Sequence, residues 1–104
     1  MSGTYRVILT SEALQDLQSI GRYIGERSPQ NAANVADALL NAIDSLASMP
    51  SRFKRVGRSR KRDSTIHAMV LRPFIIYYRV DEQQKAVHVL TVQHGARQQP
   101  RRFD

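Results

Sequence analysis

The first half of the chain places apolar residues at the spacing of a helix. Counted from Ala13, they recur at intervals of four, three and four residues, which puts them on one helical face. These residues are Ala13, Leu17, Ile20 and Ile24. Thr10-Ser11 precedes them, and hydroxyl residues commonly begin helices. The pattern predicts a helix from Ser11 to about Arg27, weakened by Gly21 and Gly25, which suggest the close approach of a packing partner.

A second helical pattern begins at Ser28-Pro29, where serine suits the N-cap and proline the first helical position. It runs to about Met49, and Pro50 lies just past its end. The predicted inward stripe comprises Ala32, Ala36, Leu39, Ile43 and Leu46, with Leu40 and Ala47 beside it. The turn between the two helices is short, so we expect an antiparallel helical hairpin.

The remaining apolar runs are short and typical of strands. One strand, Tyr5–Leu9, precedes the helices, and three follow them at Thr65–Leu71, Phe74–Val80 and Ala86–Gln93. Short connections between successive strands favour an antiparallel sheet. The predicted fold is α+β with the order β-α-α-β-β-β. It has two layers, in which the N-terminal strand and the helical hairpin pack on an antiparallel sheet, and residues 1–104 form a single domain.

Composition excludes several classes of function. The 104 residues contain no cysteine, which excludes disulfides and thiolate chemistry. Glycines do not form a phosphate-binding loop and histidines lack metal-ligand spacing, so we expect no cofactor and no metal. Neither a signal peptide nor a run of about 20 apolar residues is present, which predicts a cytoplasmic protein without a membrane partner.

Positive charge is concentrated in one segment. The net charge is +7, and residues 52–62 contain seven basic residues and no acidic one. The segment includes Gly57 and has no apolar periodicity, so it is predicted to be a loop. Such clustering indicates a polyanion or an acidic protein as partner. The alternative is a solvated basic loop that serves only solubility.

Several motifs occur in one order along nearly the whole chain. They are Ala13-Leu14-Gln15-Asp16-Leu17, Tyr23-Ile24, Ser28-Pro29, Leu46 to Pro50, the strand Ile75 to Val80 and the ending His94-Gly95-Ala96-Arg97. Together they resemble the ParE branch of the RelE/ParE toxin family. The Tyr-Tyr-Arg-Val strand followed by His-Gly-Ala-Arg is the most specific pair.

This resemblance implies a toxin of a bacterial type II toxin–antitoxin system. ParE-like members are associated with poisoning DNA gyrase, and RelE-like members with cutting messenger RNA on the ribosome. The resemblance also implies an antitoxin partner, a ParD-like protein whose acidic segment folds on the toxin, and a hetero-oligomer. No small-molecule substrate is expected.

Residue chemistry favours inhibition by binding over catalysis. The strand stretches that carry basic residues in RelE-type nucleases read Ala68-Met69-Val70 and Phe74-Ile75-Ile76 here, which are apolar. The chain ends Arg101-Arg102-Phe103-Asp104, without a clear equivalent of the C-terminal catalytic tyrosine. If the protein is a ribonuclease, the candidate catalytic residues are His94, Arg79, Arg97 and Tyr78. The alternative is that His94 and Arg97 only anchor the end of the last strand.

We expect the basic segment and the basic tail to bind the target. The predicted target-binding residues are Arg52, Lys54, Arg55, Arg58, Arg60, Lys61, Arg62, Arg97, Arg101 and Arg102. Several arginines supply steering and affinity toward a polyanionic target such as gyrase holding cleaved DNA. Two alternatives stay open: a ribosome-dependent ribonuclease, and an inactive toxin-like module that only binds its antitoxin.

Overall fold

A computed structural model describes residues 4–58 and 64–94 of the chain. The helices are α1, Ser11–Gly25, and α2, Pro29–Asp44. The strands are β1, Arg6–Leu9; β2, Lys54–Arg58; β3, Ser64–Leu71; β4, Phe74–Asp81; and β5, Ala86–His94. Two short 3-10 turns, Ser45–Ala47 and Pro50–Arg52, lie between α2 and β2. No helix in these residues has the length and apolar character needed to cross a membrane.

The five strands form one sheet in the order β1-β5-β4-β3-β2. Strands β3, β4 and β5 pair antiparallel with their chain neighbours, as predicted, and a further strand, β2, pairs antiparallel with β3. The N-terminal strand differs from the prediction, because β1 pairs with β5 in parallel. Parallel neighbours need a long connection, and the helices and three strands between β1 and β5 supply one. The sheet is therefore mixed.

The prediction that the whole basic segment is a loop was wrong. Lys54–Arg58 is strand β2, paired with β3, so the order is β-α-α-β-β-β-β. All five residues of β2 are exposed, so the strand lacks the alternation of apolar and polar positions by which a half-buried strand is recognised in a sequence. Its pairing depends on backbone hydrogen bonds to β3 instead. Arg60, Lys61 and Arg62 lie outside the described residues.

Both predicted helix starts are confirmed. The Thr10 side chain accepts a hydrogen bond from the Ala13 N–H at 3.2 Å, and its hydroxyl donates to the Val89 carbonyl at 2.7 Å. This residue therefore caps α1 and joins it to β5. Ser28 accepts from the Asn31 N–H at 3.2 Å, with Pro29 at the first position of α2. The second helix ends at Asp44, earlier than predicted, because a 3-10 turn follows it.

The core lies between the helical hairpin and one sheet face. The predicted face of α1 is confirmed, since Ala13 is fully buried and Leu17, Ile20 and Ile24 pack against the core. Leu39 and Ile43 on α2 and Leu46 in the 3-10 turn after it are buried as predicted. Ala36 and Leu40 are exposed instead, and Val35 and Ala42 contact the core. In a two-layer fold a helix packs against the sheet with one face only. Apolar residues at the edge of a broad apolar face, such as Ala36 and Leu40, therefore stay exposed to solvent.

An acidic side chain on α1 fixes this helix to the irregular part of β5. The strand register shifts where Tyr78 faces Val89 but Tyr77 faces Thr91, which leaves Leu90 as an extra residue. Just beyond it, Asp16 Oδ2 accepts hydrogen bonds from the Thr91 hydroxyl at 2.6 Å and the Val92 N–H at 3.0 Å. One carboxylate thus satisfies two donors of the neighbouring strand.

We expect Asp16→Ala to lower the free energy of unfolding by about 2–3 kcal/mol, because two partly buried donors lose a charged acceptor. The matched control is Asp37→Ala, which removes an exposed carboxylate from α2 and is expected to change stability by less than about 0.5 kcal/mol. Urea unfolding monitored by circular dichroism measures both. Equal midpoints for the two variants would contradict this role of Asp16.

Candidate target-binding site

The described part of the basic segment forms one edge of the sheet. Strand β2 lies outermost next to β3, and its Lys54, Arg55 and Arg58 side chains are exposed. Val56 between them is 44% exposed. Three predicted target-binding residues are thus presented on a rigid element rather than on a loop. A row of cations held by a sheet loses less conformational freedom on binding than the same row on a free chain.

A bulge in β2 brings its two arginines to the same side of the sheet. Arg55 faces His67 on β3, and Arg58 faces Thr65. His67 and Thr65 are two residues apart, so both arginines lie on one side, although three residues separate them in sequence. The register shift between Arg55 and Gly57 produces this arrangement. In a regular strand the two side chains would point to opposite sides.

The Arg52 side chain makes contacts within the protein. Its guanidinium donates to the Ser48 carbonyl at 2.5 Å and the Met49 carbonyl at 3.2 Å. The same group lies 4.6 Å from the centre of the Phe53 ring. These contacts hold the turn at Met49, whose backbone has a φ of 47°, an unusual conformation for a residue with a side chain. Arg52 therefore supports the start of β2.

Two buried rings support the same connection from inside the sheet. Tyr78 on β4 is fully buried, and its hydroxyl donates to the Pro50 carbonyl at 2.5 Å. It stacks on His67 of β3, with ring centres 5.4 Å apart. Tyr78 and His67 are directly opposite each other in the register of β4 and β3. Their side chains therefore lie on the same face of the sheet. The stacked pair of rings therefore packs beneath the segment that leads into β2.

The buried His67 also contacts Phe53, the residue before β2. Its Nδ1 lies 3.0 Å from the Phe53 carbonyl, and its Nε2 lies 2.8 Å from the Thr65 hydroxyl. A carbonyl only accepts, so Nδ1 carries a proton. From sequence His67 was interpreted as an ordinary strand residue. Only the strand register, which places it beside Tyr78 and Arg55, gives it this role.

The three candidate ribonuclease residues that the structure describes, Tyr78, Arg79 and His94, are not brought together. Tyr78 is buried and bonded to Pro50, and Arg79 next to it points to the opposite face. The Arg79 guanidinium lies 3.8 Å from the Asp81 carboxylate and 3.4 Å from the Ser64 hydroxyl. His94 faces Phe74, five residues from Arg79 along β4, which is about 17 Å. Arg97 lies outside the described residues, as do Arg101 and Arg102 of the predicted target-binding tail.

A second surface of different character lies on the helical hairpin. Leu14 on α1 and Leu40 on α2 are 46% and 47% exposed. Between the helices is a small crevice of about 70 Å³. Its lining comprises Leu17, Ile20, Gly21, Ala32, Val35, Ala36, Leu39 and Leu40. Among residues 4–58 and 64–94, no atom of another segment lies within 4 Å of where a Cβ of Gly21 would be, so this part of the chain does not supply the packing partner predicted for this glycine.

A larger groove lies where the hairpin meets the end of the sheet. It has a volume of about 350 Å³ and is bordered by α1, α2, the β3–β4 turn and His94. The His94 ring meets the Phe74 ring edge to face, with centres 5.6 Å apart. Its walls are mainly apolar, with Ser19, Asn31 and Tyr23 at the rim. The chain thus offers a basic edge and an apolar hairpin, on different elements.

Comparison with known proteins shows which family the chain is similar to. The family described as "ParE toxin of type II toxin-antitoxin system, parDE" matches residues 7–99. The protein named Toxin RelE2 of Caulobacter vibrioides is 37% identical over 93 residues, covering 88% of this chain and 97% of that protein. Relatives of this chain therefore carry the names of both branches.

Two solved structures share the fold. A chain of the chromosomal ParDE toxin–antitoxin system from P. aeruginosa superposes with a TM-score of 0.69 at 20% identity, covering 89% of this chain and 98% of that one. A chain of the RelE–RelB complex from Pyrococcus horikoshii gives a TM-score of 0.62 at 20% identity, covering 91% and 99%. At this identity the similarity supports the fold and leaves the target open.

The pH dependence of stability tests the buried position of Tyr78. Burial raises the pKa of this hydroxyl to about 12, against a smaller opposing effect of the Arg52 charge. An unfolded tyrosine titrates near pH 10, so the folded state retains the proton longer. The raised pKa of Tyr78 therefore contributes about 2–3 kcal/mol to the free energy of unfolding below pH 10. This contribution is lost as the pH rises from about 10 to 12.

We expect Tyr78→Phe to cost about 1–3 kcal/mol at pH 7, because the Pro50 carbonyl loses its donor. The variant should also lose less stability than the parent between pH 9 and 11.5. Unfolding midpoints across this range measure both effects, and Tyr23→Phe, at an exposed tyrosine, is the control. Parallel pH curves for the parent and Tyr78→Phe would contradict the assignment.

Proposed function

Because the chain belongs to the ParE toxin family of type II toxin–antitoxin systems, we propose that it poisons DNA gyrase by binding, within the cytoplasm. The observation that supports this most is the rigid basic edge formed by Lys54, Arg55 and Arg58. Gyrase engaged with cleaved DNA offers phosphates, to which exposed arginines and lysines bind through charge and hydrogen bonds. The basic tail, Arg97, Arg101 and Arg102, is proposed to add to this contact.

The separation of the candidate catalytic groups favours binding over hydrolysis. RNA cleavage requires an acid or base and a phosphate-stabilising cation around one reacting group. Arg79 and His94 lie on opposite faces of the sheet, and Tyr78 has its hydroxyl bonded to the main chain. Such an arrangement does not assemble a general acid–base pair. In the proposal the protein is therefore an inhibitor and not an enzyme.

A ribosome-dependent ribonuclease is the second candidate, favoured by the 37% identity to a protein named RelE2. For this candidate the active groups would have to be supplied by a different set of residues or by the ribosome itself. An inactive module that retains only antitoxin binding is the third. Expression in cells distinguishes this last possibility, since the inactive module is harmless while either toxin arrests growth.

The apolar hairpin suits the antitoxin. Exposed Leu40 lines the crevice and Leu14 is exposed on α1, and among the described residues no atom of another segment lies within 4 Å of where a Cβ of Gly21 would be. A helix that approaches closely is accommodated best where one partner has small residues, here Gly21, Ala32 and Ala36. We place one helix of a ParD-like antitoxin on this crevice. A disordered antitoxin that folds on this surface would bury the exposed leucines.

The direct test is a gyrase reaction on supercoiled and relaxed plasmid with the purified protein. The expected result is loss of supercoiling and accumulation of double-strand breaks that need gyrase. A parallel reaction with translating ribosomes and messenger RNA should show no cleavage. Cleaved RNA together with intact plasmid would reverse the order of the first two candidates.

The basic edge gives a sharper prediction. We expect the triple variant Lys54→Ala, Arg55→Ala and Arg58→Ala to reduce trapped breaks at least about tenfold, since three phosphate-binding cations are removed. The matched control removes Arg6, Arg22 and Lys85, which equal them in charge and are exposed on other elements. Both triple variants lower the net charge equally. Equal activity of the two variants would show that only net charge matters.

The hairpin assignment is tested separately. The product of a reading frame beside this gene is the candidate antitoxin. Leu40→Arg should weaken its binding at least about 30-fold, because a cation replaces a leucine in an apolar contact. Val70→Arg, at a 58% exposed valine of β3, is the control and should bind normally. Calorimetry measures both, and unchanged affinity of Leu40→Arg would exclude this crevice.

A further inference from the structure

The groove where the hairpin meets the end of the sheet is large enough to enclose an aromatic side chain. Its volume is about 350 Å³, at the lower end of the range for sites that hold small organic groups. Ile20, Ile24 and Val35 form an apolar part of its wall, and Tyr23, 53% exposed, lies beside them. An apolar group that enters the groove removes this surface from water, which favours its binding.

Aromatic rings already meet in this groove. The Phe74 and His94 rings contact edge to face, with centres 5.6 Å apart. Aromatic rings stabilise each other in edge-to-face or offset arrangements at centre distances of about 4.5–7 Å. A further ring placed in the groove would therefore extend an existing cluster.

The chain carries a suitable ring close to the groove in sequence. Ten residues, 95–104, follow His94, and Phe103 is the aromatic residue among them. An extended chain spans about 3.3 Å per residue, so the chain from His94 to Phe103 reaches up to about 30 Å. His94 itself borders the groove, so this length is sufficient for Phe103 to return to it. Gly95 and Pro100 are residue types that favour the turns such a return needs.

Charges beside Phe103 match charges beside the groove. The sequence Arg102-Phe103-Asp104 places a cation before the ring and a carboxylate after it. The Arg27 guanidinium lies 4.8 Å from the centre of the Tyr23 ring, at the border of the groove, and Glu26 is its exposed neighbour. Opposite charges are thus available on both sides of the ring, which offsets part of the repulsion between a basic segment and a basic protein.

A segment of the same chain has an advantage over a separate partner. Its connection to His94 keeps Phe103 near the groove at an effective concentration on the order of millimolar. A second copy of the protein lacks this advantage, and two chains of net charge +7 repel each other.

We propose that residues 95–104 return to the hairpin, that the Phe103 ring occupies the groove beside Tyr23 and His94, and that Arg27 binds the Asp104 carboxylate. Ile20 and Val35 line both this groove and the crevice between the helices, so the docked segment adjoins the surface proposed for the antitoxin. The inference requires neither gyrase nor an antitoxin.

Methyl NMR of the full-length chain tests the proposal. An aromatic ring shifts the resonances of methyl groups packed against it. Phe103→Leu removes the ring and keeps an apolar side chain, so it should move the methyl resonances of the groove residues Ile20, Ile24 and Val35. Val56, exposed on β2, is the control and should not move. Unchanged resonances at all three groove residues would overturn the proposal.

A peptide with the sequence of residues 95–104 tests whether the groove is occupied. It should bind the Phe103→Ala variant at least about tenfold tighter than the parent, whose own segment competes for the groove. The same peptide with alanine in place of Phe103 should bind neither protein. Equal affinity of the unchanged peptide for the parent and the variant, with equal thermal midpoints, would contradict docking of the segment.

A charge-matched pair of variants locates the contact of Asp104. In the Phe103→Ala background, Arg27→Gln should weaken the peptide at least about threefold. Arg6→Gln removes the same charge from an exposed position of β1 and should leave the affinity unchanged. Equal losses in both variants would show that net charge alone acts and would overturn the Arg27 contact.

Dilution separates docking within one chain from docking between two copies. The resonance shifts caused by Phe103→Leu should be independent of protein concentration. Shifts that disappear on dilution would overturn the assignment to the same chain. Failure of these tests is distinct from failure of the proposed function, because neither gyrase nor antitoxin is present in them.

Discussion

The stacked pair of Tyr78 and His67 determines where the basic edge lies. Both rings are buried on one sheet face, and each bonds to a carbonyl of the connection between α2 and β2, at Pro50 and Phe53. The second helix ends at Asp44, so the chain must cross from the helical layer to the sheet edge within nine residues. With this connection fixed, β2 begins at Lys54 in a defined register with β3. A free connection would leave the cations on a mobile loop.

The same connection links the two surfaces of the molecule. The α2 side carries the exposed Leu40 and the crevice at Gly21, and the β2 side carries Arg55 and Arg58. Apolar and basic contacts therefore lie on different elements of one rigid fold. A partner covering the hairpin and continuing to β2 would meet apolar residues first and then cations. The proposed antitoxin contact and the proposed anionic contact therefore use separate elements.

Sequence reasoning succeeded where burial leaves a periodic pattern. The helix starts at Thr10 and Ser28 and the apolar runs of β3, β4 and β5 were all predicted, because caps and buried faces constrain local composition. Strand β2 could not be predicted, since none of its residues is buried and only its pairing to β3 defines it. Neither the parallel pairing of β1 nor the contact between His67 and Tyr78 is visible without the register. At the candidate site, the sequence shows which residues are basic. It does not show the bulge between Arg55 and Gly57 or the hydrogen bonds of Arg52 to the carbonyls of Ser48 and Met49.

We propose that the β2 edge faces the target, and site-specific photo-cross-linking is the experiment that checks this without intermediate steps. A photoreactive residue replaces either Val56 on β2 or Leu40 on α2, two positions of nearly equal exposure at 44% and 47%. Each protein is irradiated with gyrase and plasmid DNA under conditions that trap breaks. The account predicts cross-links from position 56 to gyrase or DNA and none from position 40. Cross-links from position 40 alone, with trapping intact, would contradict it.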